Sequence, residues 1–257
     1  MKLFTIGADP EFFIVKNQKY ISSIGLIGGS KEEPLSMVKR GFAMQEDNVA
    51  VEYNIPACDT KEKFIEAIHY GLHYILRNKL KPSKYSFSRE SAVYFDTDQL
   101  LHPKAMEFGC EPDFNAWTKD MNPRPEATSP TLRSAGGHIH VGTREDSLEV
   151  IRAMDLFLGV PSTVMDSGQL RKRLYGKAGA FRPKEYGCEY RTLSNFWIFS
   201  KELVGWVYDQ TQRAIEFVED GNTIDKTDGL AIQNCINHED GMAYEYLAKT
   251  YGLTCNA

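Results

Sequence analysis

The chain predicts an α+β fold built on a mostly antiparallel sheet. Short segments alternate apolar and polar residues as strands do. Two long stretches repeat apolar residues at helical spacing. The candidate strands are separated by long excursions, which disfavours a doubly wound βαβ arrangement. At 257 residues and roughly 100–200 residues per domain, the chain is long enough to bury a core without disulfide staples.

Thr5 to Lys16 reads as a β-rich opening with a charged residue, Glu11, inside it, and Asn17-Gln18 is a turn leading into Lys19-Tyr20-Ile21. Ile27-Gly28-Gly29-Ser30 followed by Lys31-Glu32-Glu33-Pro34 reads as an exposed loop without P-loop spacing. Phe42 to Ile55 predicts a hairpin turning at Asp47-Asn48. Its return strand puts Val49, Val51, Tyr53 and Ile55 on one face and Ala50, Glu52 and Asn54 on the other. From Thr60 to about Leu80, the spacing of Phe64, Ile65, Ile68, Leu72, Ile75 and Leu76 predicts an amphipathic helix with Thr60 near its N-cap. Residues 84 to 95 read as a strand, and the polar, Pro- and Asn-rich stretch 97 to 133 as a long loop.

Ser134 to Gly142 predicts a strand opened by glycines, and Glu145 to about Val160 a helix. Leu170 to Lys184 is basic and punctuated by glycine, and Glu189 to Trp197 reads as another strand. Lys201 to Glu219 is a second strong amphipathic helix, with a shorter one over Gly241 to Lys249. No fixed-period repeat is present.

Composition excludes several classes. Lys plus Arg number 30 against 35 Asp plus Glu, a net charge of -5 that argues against nucleic-acid binding driven by overall basicity. The five cysteines form no C-x-x-C pair, which points away from a zinc ribbon or disulfide framework and toward a reducing cytoplasm. No apolar run approaches the roughly 18 residues of a membrane helix, and Asp9 interrupts the opening too early for a signal peptide.

Period two organises the chemistry. His138 and His140 project from one face of their strand, as do Glu52 and Asn54 on theirs and Glu189 and Arg191 on theirs. If these strands share a sheet with one polar face, carboxylates, imidazoles, an amide and a guanidinium meet over a common floor, with Glu11 as a further carboxylate. Such oxygen-rich sites suit Mg²⁺ or Mn²⁺ bridging to phosphates. Each acid taken singly has the alternative of a solvent-facing sheet position. The basic stretch Arg171, Lys172, Arg173, Lys177, Arg182 and Lys184 reads as a phosphate clamp or as a solvated charge run. Arg124 and Arg133 are substrate-carboxylate candidates or ordinary surface arginines. Glu66, His69 and His73 share a helical face without a further ligand. Cys110 and Cys188 lack a visible base, and Glu111 is a further acid or a loop turn.

Four motifs carry a resemblance. Gly7-Ala8-Asp9-Pro10-Glu11-Phe12, Asp47 to Pro56, Gly136-Gly137-His138-Ile139-His140-Val141-Gly142 and Tyr186 to Trp197 resemble, in order, the phage COOH·NH2 ligase type 2 family within the glutamine synthetase and glutamate–cysteine ligase superfamily. The resemblance implies one catalytic domain over residues 1-257. Its fold would be a curved antiparallel sheet forming a half-open barrel with helices outside, holding ATP and Mg²⁺ (or Mn²⁺). By motif position Glu11, Glu52, His138 and Glu189 are implied as metal ligands. His140 and Asn54 are implied as support around the metal and cofactor, and Arg191, Arg173, Arg182 and Lys184 as phosphate contacts, the arginines being catalytic.

The implied reaction is ATP-dependent amide formation through an acyl phosphate, joining small-molecule or peptide carboxylate and amine substrates. It would run in the cytoplasm, the host's if the chain is phage-encoded, and the motifs assign no oligomeric state. Two alternatives are a phosphotransferase on the same fold and a non-catalytic binding module.

Overall fold

A computed structural model describes residues 4–106, 113–123, 129–172 and 174–255, with the backbone alone at 169. Arg173 therefore lies outside the described residues, as do Cys110, Glu111 and Arg124. The strands are β1 (Thr5–Phe12), β2 (Ile14–Lys16), β3 (Lys19–Ile21), β4 (Leu35–Ser36), β5 (Ala43–Asp47), β6 (Ala50–Asn54) and β7 (Ser86–Phe87) in the first part of the chain. They continue as β8 (Ala92–Tyr94), β9 (Phe114–Asn115), β10 (Leu132–Ser134), β11 (Gly137–Gly142), β12 (Ala180–Lys184) and β13 (Gly187–Tyr190). The α-helices are α1 (Lys61–Ile75), α2 (Pro103–Met106), α3 (Ser147–Met154), α4 (Val160–Met165), α5 (Gln169–Lys172), α6 (Lys201–Glu219), α7 (Lys226–His238) and α8 (Gly241–Tyr251).

The described residues form three antiparallel sheets. The largest has eight strands in the order β4-β5-β6-β1-β11-β13-β12-β9, and β10-β8 and β3-β2-β7 make two small ones. The α+β class and the antiparallel pairing agree with the sequence. The half-open barrel and the curved, glutamine-synthetase-like sheet do not: the sheets are open and uncurled. A physical reason lies at the edges. β4 and β9 are each only two residues long, too short to pair with another edge and close a cylinder.

Alternation sorts the large sheet into two faces. Ile6, Ala8, Phe12, Val51, Tyr53, Ile139, Val141, Cys188 and Tyr190 belong to the main buried core. α1 packs against β1 and β6, α3 packs against β12 and β13, and α6 lies across α1 and α3. The opposite face carries the polar residues of the same strands. Thr60 caps α1 as its spacing predicts, its side chain accepting from the backbone N–H of Lys63. Both hairpin turns also fall where expected, with Asn17, Gln18 and Asn48 at positive φ.

Other elements differ from the expectation. Residues 84–95 hold two short strands, β7 and β8, in different sheets. The stretch 97–133 includes α2, β9 and the start of β10. The basic 170–184 segment ends in a sheet strand, β12. The strand expected to run to Trp197 stops at Tyr190, because Asn195–Phe199 winds into a 3-10 turn capped by Ser194. The expected helix over 145–160 runs on through a π-helical turn, Asp155–Gly159, into α4. The sequence reading missed α7, whose buried stripe is Asp228, Gly229, Ile232, Cys235 and Ile236. Two of these five are not apolar side chains, which dilutes the periodic signal. Among the described residues no helix is long and apolar enough to cross a membrane.

Candidate active site

Strand register assembles the polar face. β1 lies between β6 and β11, with Glu11 opposite Glu52, Asp9 opposite His138 and Gly7 opposite His140. On the next strands His140 stands opposite Glu189, and Glu189 opposite Arg182. Residues directly opposite on antiparallel strands share a face. Glu11, Glu52, His138, His140, Glu189 and Arg182 therefore share one side of the sheet, together with Asp9.

Asp9, His140 and Glu189 each bring one ligand atom within 4.8 Å of the others, a spacing that could hold a metal ion. Asp9 Oδ2 is 3.2 Å from Nε2 of His140, and its Oδ1 is 3.4 Å from Nδ1 of His138. Burial alone would raise the Asp9 carboxyl, but the two histidines outweigh it and hold the group well below the usual carboxylate range. Burial likewise works against charging His140, and the Asp9 and Glu189 carboxylates reverse that and push it up. The Tyr186 hydroxyl contacts the other ring nitrogen of His140. Asp9 is the candidate ligand the sequence reading overlooked. The signal was present, because Asp9 is two residues before Glu11 and so projects from the same face of β1.

Glu189 is the electrostatic centre. It is almost fully buried, at 1% exposure, and contacts Arg191 directly. Lys184 donates to it at 2.7 Å, and Arg182 Nη1 stands 3.8 Å away. Burial and Asp9 push its carboxyl up; Arg191, His138 and Lys184 prevail and bring it down to about 2. Arg191 also reaches Asp113 Oδ1 at 2.7 Å through Nε, and its Nη1 lies 3.2 Å from Nδ1 of His138.

A second group of acids lies toward β5 and β6. Glu11 accepts from the Gly136 backbone N–H at 2.6 Å, and Glu52 accepts from the Gln45 side-chain amide at 2.6 Å. Burial, reinforced by Asp9, Asp47 and Glu11, pushes Glu52 well above its ordinary range. Burial and Glu11 push Asp47 up to about 6. This crowding of buried carboxylates is what a bound cation would relieve, and a set of carboxylates with one imidazole matches the donor preference of Mg²⁺ or Mn²⁺. Asn54 shares the Glu52 face of β6 at the rim.

A cavity of about 370 Å³ opens beside this face, lined by Glu11, Asp47, His138, Arg171 and Arg191 among others. Its far wall includes Ser30 and Lys31 from the glycine loop. Glu46 holds that loop to β5 by accepting from the backbone N–H groups of Gly25 and Gly28 at 2.8 Å each. Arg171 is buried and donates to the carbonyls of Thr192 and Arg191 at 3.2 and 3.4 Å. It forms no ion pair within 4 Å among the described residues, and the Glu11, Asp166 and Asp113 carboxylates compensate its charge only at longer range. Arg133, by contrast, is spent on structure, with Nη2 donating to the Ala105 carbonyl at 2.6 Å. Glu66, His69 and His73 gather no metal-competent group; the Asp9, His140 and Glu189 set is the one found among the described residues.

The fold and site thus define a class: an α+β protein with a polar sheet face, a candidate Asp/His/Glu metal cluster and a cationic group beside it. Residues 129–216 match the family model described as Phage phiEco32-like COOH.NH2 ligase-type 2 and form a domain of that type. The match takes in about a third of the chain, including β11, β12, β13 and most of α6, while Asp9, Glu11 and Glu52 lie before it. No curated protein matches the chain.

Proposed function

We propose that the protein is an ATP-dependent carboxylate–amine ligase that forms an amide through an acyl phosphate. One observation carries the reading: Asp9, His140 and Glu189 converge with Arg191, Arg182 and Lys184 on one sheet face. This lies beside the cavity and within a chain whose residues 129–216 are of COOH·NH2 ligase type.

The chemistry has two steps. A substrate carboxylate oxygen bonds to the γ-phosphorus of ATP as the bond to ADP breaks. An amine then attacks the acyl carbon, phosphate leaves, and the amine gives up a proton. In the first step two anions must meet, so positive charge fixed in advance is the main catalytic requirement. Asp9, His140 and Glu189, with Glu11, Glu52 and His138 nearby, are the residues that would hold Mg²⁺ or Mn²⁺. When bound, such an ion supplies charge neutralisation at the phosphates.

The protein's own cations do the rest. Arg191 presents a planar guanidinium whose direction is set by Glu189 and Asp113, and Arg182 and Lys184 add charge on the neighbouring strand. Arg173 belongs to the same proposal from its place in the basic stretch. Asn54 and His140 support the cofactor from the strand faces.

The test is a pooled amino-acid and polyamine screen with ATP and Mg²⁺, read as phosphate release and product mass. Glu189→Gln is expected to abolish amine-dependent ADP release, and unchanged turnover would overturn the site assignment. A stable phosphorylated acceptor in place of an amide and free phosphate would make the protein a phosphotransferase.

A further inference from the structure

Among the chain segments that bring residues to the polar face, three are held from the opposite side of the sheet by one buried carboxylate: the approach to β12, the end of β13, and the turn after Asp113. Asp155 opens the π-helical turn between α3 and α4 and is completely buried. Its Oδ2 accepts from Trp117 Nε1 at 2.7 Å and from the Gly179 backbone N–H at 2.6 Å. Its Oδ1 accepts from the Tyr190 hydroxyl at 2.9 Å, and the Thr192 hydroxyl lies 3.2 Å away.

The addresses of these donors matter. Tyr190 and Thr192 alternate with Glu189 and Arg191, so a bond drawn to 190 and 192 from the helix side sets how 189 and 191 stand on the polar side. Gly179 begins the approach to β12, which carries Arg182 and Lys184. Trp117 closes the turn that follows β9 and Asp113, and the Ala116 N–H donates to the Gly179 carbonyl at 2.9 Å. Arg152, one helical turn before, donates through Nη2 to the Ala116 carbonyl at 2.8 Å and so braces the same turn.

The helix register is also unusual at this point. A π-helical turn costs regular i→i−4 bonding and commonly marks a functional position. Gly159, at the end of the turn, has no room for a side chain: a Cβ there would lie 2.8 Å from the Tyr190 hydroxyl. A buried carboxylate is expensive unless its lone pairs are met, and here four donors from three segments meet them.

We propose that Asp155 is a positioning residue for the polar-face cluster. Acting through Tyr190, Thr192, Gly179 and Trp117, it sets the relative placement of Glu189, Arg191, Arg182 and Asp113 without touching substrate. Its consequence for catalysis rests on the ligase reading given above; its consequence for the geometry of the cluster does not.

The experiment compares Asp155→Asn with the milder Tyr190→Phe and Thr192→Val, each of which removes a single hydroxyl. The first readout is the imidazole NMR resonances of the six histidines. His138 and His140 are expected to shift in all three variants, because Arg191 stands against His138 and Glu189 beside His140. His69, His73, His102 and His238 serve as remote controls and should stay in place. The second readout is Mn²⁺ affinity by calorimetry with ADP release, where loss of a supporting hydrogen bond is expected to weaken Mn²⁺ binding and lower kcat by about tenfold with KM for ATP little changed.

Variants that unfold at lower temperature while His138 and His140, Mn²⁺ affinity and kcat all remain as in the parent protein would overturn the proposal, since Asp155 would then be structural only. A parent protein that neither binds Mn²⁺ nor consumes ATP would instead overturn the ligase reading, and the histidine resonances would still decide the role of Asp155. If Asp155→Asn fails to fold, the two hydroxyl variants carry the decision.

Discussion

Arg171 and Glu189 illustrate opposite ways of keeping a charge inside a protein. Glu189 is surrounded by Arg191, Lys184 and Arg182, and their attraction outweighs its burial. Arg171 has backbone carbonyls but no carboxylate within ion-pair distance among the described residues, and burial pulls its pKa down against the more distant Glu11, Asp166 and Asp113. A buried charge whose counter-charges stand only at a distance is a poor device for stability. Arg171→Met is therefore expected to leave unfolding free energy within about 1 kcal/mol of the parent, because an apolar side chain of similar length replaces a costly one. ADP release should nonetheless collapse, and denaturant titration beside a turnover assay checks the pair. The acids predict a pH profile for the metal-free protein. Asp47 has its pKa raised to about 6, so the folded state binds its proton more tightly than the unfolded chain, and stability should rise as pH falls from 7 toward 5. Glu189 is lowered to about 2. Its contribution is complete above the unfolded carboxyl value of roughly 4.3 and disappears as pH falls through about 2. Thermal melts across this range should show a maximum on the acid side of neutrality, and a monotonic fall from pH 7 would contradict the opposed shifts.

At the level of the element, β11 depends on the two glycines that precede and open it. A Cβ on Gly137 would lie 2.5 Å from the Ser194 carbonyl and 2.4 Å from Trp197 Nε1, the side chain that donates back to the Gly137 carbonyl at 3.3 Å. Gly137→Ala is expected to cost about 1–3 kcal/mol through overpacking. Gly241→Ala, at an N-terminal helical position with open space around it, should change stability by less than about 0.5 kcal/mol. Urea midpoints for the two variants provide the comparison. The same elements explain what could be read before the fold was known. The α6 span, the Asn48 hairpin and the His138-x-His140 face depend on local periodicity and turn chemistry, and they are found as expected. β12 was masked by its charge, because Arg182 and Lys184 look like a solvated run until Glu189 is placed opposite. The 3-10 turn at Asn195–Phe199 depends on the Ser194 cap, a local signal hidden inside an apolar run. The openness of the sheet was not legible, since it follows from the brevity of two edge strands and not from any motif. Asp9 lay inside the strand that was read, but Glu11 was taken as its one charged residue, and only the pairing of β1 with β11 puts Asp9 against the histidines.

For the molecule as a whole, carboxylates crowded on one sheet face tie cation binding to stability. Mn²⁺ is expected to raise the melting temperature, and to do so more at pH 7.5 than at pH 5, because His140, whose proton Asp9 and Glu189 hold more tightly than usual, must give it up to become a ligand. A shift independent of pH would argue against binding at the Asp9, His140 and Glu189 cluster. The position of β1 has a temporal consequence as well. It lies inside the large sheet, flanked by β6 and β11, and it supplies Asp9 and Glu11. Their partners at positions 138, 140 and 189 are made much later. During synthesis β1 must therefore wait for more than a hundred further residues before its second neighbour, β11, exists, and contacts of such long sequence separation form slowly. The segment from 129 to 216, expressed alone, would lack the strand that carries Asp9 and could not build the three-residue cluster, however well its own helices wound.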